Sequence, residues 1–198
     1  MKTEKTLNTK RLVLLALLSA IVIVLQLLAI YTRPLFPVFA ISLVLMPIVV
    51  GAGLIGPKAG AWLGLVFGLA VLLSGDAAAF MTIDAFGTIV VVLVKGMLAG
   101  FLSAVVYKLI ASENKIWAAV AAAVVCPLVN TGVFIIGVYI FFLPAVSEWG
   151  LAAGFENVTS FIFLGMVGFN FIMEMIINLV LCPSIIRLVE YGQERKAN

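Results

Sequence analysis

Ile89-Val-Val-Val-Leu-Val-Lys95-Gly-Met-Leu-Ala-Gly100 is an apolar run interrupted by a single ammonium group. At the centre of a bilayer helix such a charge costs roughly 2.5–3.5 kcal/mol, so the side chain needs a partner, a cavity or an interface. We read Lys95 as facing a small-molecule site. The alternatives are a lysine that snorkels to the headgroups or one held in a structural ion pair.

The surrounding chain makes the bilayer the natural solvent. Of its 198 residues 65% are hydrophobic and 11% charged, with a mean hydropathy of +1.29. A water-soluble domain of this size has no core large enough to hide that much apolar surface. Apolar runs of about twenty residues, the length a ~30 Å hydrocarbon core demands, occur six times. They fall near 11–30, 36–55, 58–74, 86–107, 116–142 and 159–188, joined by short connections. The expectation is an all-α membrane protein, one domain over 1–198, with six transmembrane helices in one bundle. The basic N-terminus precedes a run too long for a signal peptide, and we read it as a retained first helix.

Basic residues set the orientation, because positive charge near helix ends is kept on the cytoplasmic side. With the N-terminus inside, Lys2, Lys5, Lys10, Arg11, Lys58, Lys108, Lys115, Arg187, Arg195 and Lys196 all fall inside, ten of the twelve Lys and Arg. Both termini are then cytoplasmic. Arg33, Asp76, Asp84, Glu148 and Glu156 are left to the outer loops, and Lys95 to a span. The longer outer segments, 74–86 and 144–158, are either ordinary connections or covers over an outward-facing pocket.

Glycines and alanines recur every fourth residue in the third and fourth spans, at Gly60, Gly64 and Gly68 and at Gly96, Gly100 and Ala104. Such ridges let helix backbones approach closely, and internal packing is expected of them. Pro47 and Pro127 predict kinks or local unwinding.

Depth follows from the helical rise. Lys95 lies about 13 Å below the outer face, Asn130 and Thr131 roughly 9 Å below it, and Asn170 about 13 Å below it. Three helices thus carry polar side chains to one level in the outer half. A few fixed polar groups among aromatic side chains suit a small amphiphilic ligand, and a lysine offers a point charge to a carboxylate. Aromatic neighbours include Phe134, Tyr139, Phe169 and Phe171. The candidate substrate-binding residues are Lys95, Asn130, Thr131, Asn170 and Tyr139. Glu174, a turn beyond Asn170 at about 20 Å, is open to pairing with Lys95, to burial as the acid, or to capping a polar network.

Several classes are disfavoured. There is no histidine, which removes histidine bases and metal ligands together. Cys126 and Cys182 lie in apolar runs and support neither a disulfide framework nor zinc. No catalytic residue, metal, cofactor or nucleic-acid partner is expected. Gly51-Ala-Gly-Leu-Ile-Gly56-Pro57-Lys58 has proline where a phosphate loop has lysine, so any nucleotide hydrolysis falls to a partner. An intramembrane enzyme remains the competing class, with Glu174 as its one isolated acid.

Pro47-Ile-Val-Val-Gly-Ala-Gly-Leu-Ile-Gly56-Pro57-Lys58-Ala-Gly60-Ala-Trp62-Leu-Gly64-Leu-Val-Phe-Gly68, then Pro127-Leu-Val-Asn130-Thr131-Gly132, and Asn170 with Glu174 resemble the substrate-binding S components of energy-coupling factor (ECF) vitamin transporters. Members show a similar Gly-Pro-Lys turn between helices two and three and a similar Asn-Thr pair in helix five. The resemblance implies a six-helix, multi-pass subunit of a bacterial plasma membrane that captures a vitamin at its outer side. Its implied partners are a membrane scaffold, the T component, with two cytoplasmic ATPases, and it is thought to topple in the membrane to release its cargo. The family's small-residue motif on helix one is similar to Ala16-Leu-Leu-Ser-Ala20, which makes Ala16 and Ala20 candidate scaffold contacts. Many members begin helix four with Pro-Arg where this chain has Leu93-Val94-Lys95, so a point charge replaces a bidentate fork. A compact carboxylate such as pantothenate fits one cation plus amides better than a flavin or a pterin. Pyridoxine, hydroxymethylpyrimidine, riboflavin and folate are the alternative cargoes.

Overall fold

The computed structural model describes residues 2–32 and 43–194. Helices make up the described chain: α1 (Lys2–Thr32), α2 (Leu45–Ile55), α3 (Pro57–Leu73), α4 (Ala78–Met81), α5 (Ala85–Ile110), α6 (Lys115–Gly137), α7 (Leu143–Ala152), α8 (Val158–Ser160) and α9 (Gly168–Glu194). Two π-helical stretches, Val138–Phe142 and Phe161–Met166, join α6 to α7 and α8 to α9.

Local chemistry sets several of these ends. Asp84 caps α5 by accepting from the Gly87 amide at 2.9 Å, and Asn114 caps α6 by accepting from Ile116 and Trp117 at 2.9 and 3.1 Å. Each satisfies amides that the first turn leaves without helical partners. Between α2 and α3 the chain turns at Gly56, φ 118°, and Pro57 opens α3 where its missing N–H costs nothing. Pro47 stands within the first turn of α2, so the kink expected there does not arise, because no intrahelical bond is lost. Pro127 lies inside α6, which continues through it.

Among the described residues four stretches are long and apolar enough to cross a membrane: Thr9–Tyr31, Ala85–Ile110, Lys115–Ala152 and Gly168–Arg187. These overlap the expected first, fourth, fifth and sixth spans. The second and third are represented by shorter apolar helices, Leu45–Ile55 and Pro57–Leu73. Residues 36–42 of the expected second span, with Arg33, Arg195 and Lys196, lie outside the described residues. Two boundaries change: 143–152 is helical where an outer connection was expected, and the last long helix begins at Gly168, after the π-helical Phe161–Met166, where a span from 159 was expected. Pro144 sits in the first turn of α7, where it stops nothing.

The most extensive packing joins α3 to α5 and α5 to α6. At the first of these the glycine ridges meet face to face, as their spacing predicts. A Cβ at Gly60 would run into the Gly100 carbonyl, one at Gly64 into the Gly96 carbonyl, and one at Gly68 would stand 3.0 Å from the Val92 carbonyl. In lipid this close approach replaces hydrophobic drive with van der Waals contact. Ser103 donates to the Ala122 carbonyl at 3.0 Å across the α5–α6 contact, and Trp62 donates its indole N–H to Ser19 at 3.2 Å between α3 and α1. The main core is built from Leu18, Val22, Leu45, Ile48, Val49, Leu63 and their neighbours. A smaller one, with Val91, Val138, Phe142, Val146 and Ile162, knits the π-helical stretches to α5 and α7.

Candidate functional site

A cavity of about 220 Å³ opens where α3 gives way to α4 and α5 begins. Its walls are Val71 from α3, Asp76 and Ala77 from the turn after it, Phe80 from α4, Thr88, Val91, Val92 and Lys95 from α5, and Phe134 and Phe142 from the α6 side. The four α5 residues recur at helical spacing, so one face of that helix supplies the wall. Gly75, φ 80°, takes the left-handed conformation that reverses the chain after α3, and Asp76 follows it into the cavity wall.

Three polar groups define the chemistry. The Lys95 ammonium lies 5.1 Å from the centroid of the Phe134 ring and 5.7 Å from that of Phe67, within reach of a cation–π attraction. Asp76 and Glu174 are the acids that act on it electrostatically. Asp76 Oδ2 accepts from the Gln26 side-chain amide of α1 at 3.1 Å. Thr88 is buried and donates its hydroxyl proton to the Asp84 carbonyl at 2.7 Å. Around them Phe80 meets the rings of Phe134, Phe142 and Trp149 edge to face, at centroid distances of 5.6, 4.9 and 5.5 Å.

Of the five residues expected to bind substrate, Lys95 lines this cavity and the other four lie outside its lining. Asn130 is buried one turn from Phe134, and its Oδ1 accepts no hydrogen bond. Thr131 follows it, half-buried. Asn170 is exposed and donates to Glu174 Oε1 at 3.0 Å. That bond begins a ladder down α9, in which Asn178 donates to the Glu174 carbonyl at 2.8 Å and Cys182 to Asn178 Oδ1 at 3.2 Å. Tyr139, in the first π-helical stretch, shares a 3.2 Å hydrogen bond with Thr159. Ala16 and Ala20 are exposed on α1, flanked by the exposed Leu12, Val13 and Leu17.

Sequence reasoning missed Gln26, Asp76 and Thr88. An amide within the run 21–30 was the available signal for Gln26. Asp76 reads from sequence as a loop residue, and Gly75 before it marks a turn without giving the direction in which it folds. Among the described residues no group of three or more His, Cys, Asp or Glu is placed to hold a metal ion.

An apolar helical bundle that walls off a small chamber with a lysine and an aspartate is suited to holding a small polar molecule within a membrane protein. Residues 10–186 match the family model for the ECF transporter, substrate-specific component, and the chain belongs to that family. Its role is therefore that of a transporter's substrate-binding subunit, which works with a transmembrane scaffold and ATPase subunits. Neither curated proteins nor solved structures give a match.

Proposed function

We propose that this subunit captures a compact vitamin carrying a carboxylate, pantothenate before the others, at the outer side of a bacterial plasma membrane. The single observation that carries the reading is Lys95 in the wall of the cavity, the place where a buried cation has use for an anion. A volume of about 220 Å³ is small beside the roughly 300–1,000 Å³ of typical ligand pockets, which favours a compact acid over a flavin or a pterin.

In this reading the apolar stretches form six spans with both termini cytoplasmic, and α4 and its flanking turns cover the chamber. Asn130 and Thr131 lie about one turn before Phe134 on α6, Tyr139 lies in the first π-helical stretch, and Asn170 lies on α9. These four meet the ligand after local rearrangement or hold the groups that do. Ala16 and Ala20 offer α1 a close approach to the scaffold helix. Two ATPases on the scaffold supply the energy.

The test is calorimetry with detergent-purified chain, together with co-purification from membranes that contain the scaffold. The reading expects saturable pantothenate binding at one site per chain and recovery of a T component with ATPases. Binding of riboflavin or folate in place of pantothenate would overturn the choice of vitamin.

A further inference from the structure

Phe80 reaches the cavity wall from α4, a helix of four residues, and two sets of contacts hold it there. Its amide donates to the Ala77 carbonyl, and its own carbonyl accepts from the amides of Ile83 and Asp84, each at 3.1 Å. Asp84 in turn caps α5, so the backbone under Phe80 is tied to the helix that carries Lys95. The ring itself lies edge to face against Phe134 of α6, Phe142 of the first π-helical stretch and Trp149 of α7. Phe134 also stands 5.1 Å from the Lys95 ammonium, so one row of aromatic contacts runs from the charge to Phe80. A ring pinned in this way by backbone bonds and by other rings does not move aside without disturbing close-packed neighbours.

We infer that Phe80 sets the upper limit on the size of the ligand, so that the substrate class is a small carboxylate bearing one compact group. This rests on the reading of Lys95 as the anion site and adds to it a residue that sets specificity. Other large wall residues have further duties: Val91 and Phe142 are buried in the smaller core, and Phe134 stands over the Lys95 charge. Phe80 is half-buried and packs against that core from outside it, so its size can change with the least loss elsewhere. Truncating one large apolar side chain opens a space on the order of 150 Å³, which carries the chamber from about 220 Å³ into the roughly 300–1,000 Å³ of common ligand pockets.

Two probes that share a carboxylate and differ in bulk read the limit: N-benzoyl-β-alanine, and N-(2-naphthoyl)-β-alanine with its additional fused ring. Calorimetry with the full chain in detergent compares them, with pantothenate as the reference. The wild type is expected to bind the benzoyl compound at least about tenfold more tightly than the naphthoyl one, because overfilling the chamber displaces packed rings. In Phe80→Ala the naphthoyl compound should gain at least about tenfold while the benzoyl compound holds or weakens, so that the preference closes or reverses. If Phe80→Ala does not fold, Phe80→Leu reads the same wall, with a naphthoyl gain of at least about threefold. A residue with a purely structural role would lower both affinities together, and that result overturns the inference. Equal binding of the two compounds by the wild type overturns it as well, as does a naphthoyl affinity that stays at the wild-type level in the variant. Binding of pantothenate with neither aroyl compound bound by any form overturns the inference and leaves the carboxylate reading standing. No binding of pantothenate or of either compound removes that reading and this inference with it.

Discussion

The Lys95 ammonium stands 5.1 Å from the centre of the Phe134 ring, in the wall of a chamber that Phe134 shares. The negative face of an aromatic ring attracts a cation without neutralising it, so the charge remains able to bind an anion. Lys95→Met keeps length and apolar bulk and deletes the charge. A charge-assisted hydrogen bond contributes about 1.5–3 kcal/mol, so pantothenate affinity should fall about ten- to a hundredfold by calorimetry. The apparent Tm in detergent should hold or rise.

Gln26→Leu removes the amide that donates to Asp76 at 3.1 Å, one link between α1 and the turn after α3. Loss of a buried hydrogen bond to a charged acceptor costs about 1–3 kcal/mol. The expected result is a lowered Tm together with weaker pantothenate binding. An unchanged affinity would mean that the orientation of Asp76 does not matter to the ligand.

The glycine ridges give a stability test with an internal control. Gly64→Ala drives a methyl group into the Gly96 backbone, which forces α3 and α5 apart at a cost of about 1–3 kcal/mol. Gly132, inside α6, has nothing within 4 Å of an added Cβ, so Gly132→Ala should hold or raise Tm. Thermal denaturation followed by circular dichroism separates the two variants.

The meeting of these ridges was legible in sequence because small residues every fourth position mark a helix face that only a backbone can approach. Helix placement was legible for the same kind of reason, since long apolar runs need internally bonded backbone in lipid. The site was legible only in part. Counting along a helix axis gives depth, which put Asn130, Thr131 and Asn170 level with Lys95, but it does not give rotation about the axis. The packing of α5 against α3 and α6 decides that, and it turns Lys95 toward the α4 end while Asn170 stays on the exposed side of α9. Asp76 was hidden because the positive φ of Gly75, a property of the folded turn, carries it into the cavity wall. Helix α7 was hidden because Pro144 reads as a breaker, although at a helix start it breaks nothing.

Asn130, one turn before Phe134 on α6, gives an independent test of the helix beside the cavity. Its Oδ1 is buried and accepts no hydrogen bond, so Asn130→Leu should be neutral or stabilising for the fold. If the amide meets the ligand, the same variant loses pantothenate affinity. A rise in Tm with unaltered binding would remove Asn130 from the site.

The exposed stripe on α1 is tested through the partner. Ala16→Leu with Ala20→Leu fills the notch that a scaffold helix would enter, while both residues lie outside the cavity lining. Pantothenate binding by the isolated chain should stay at the wild-type level, and the amount of T component recovered on co-purification should fall several-fold.

Native mass spectrometry of the detergent-purified chain supplied with pantothenate tests the central claim most directly. The account predicts a mass increase of one pantothenate per wild-type chain and its loss in Lys95→Met. Equal adducts on both proteins, or none on either, would contradict it.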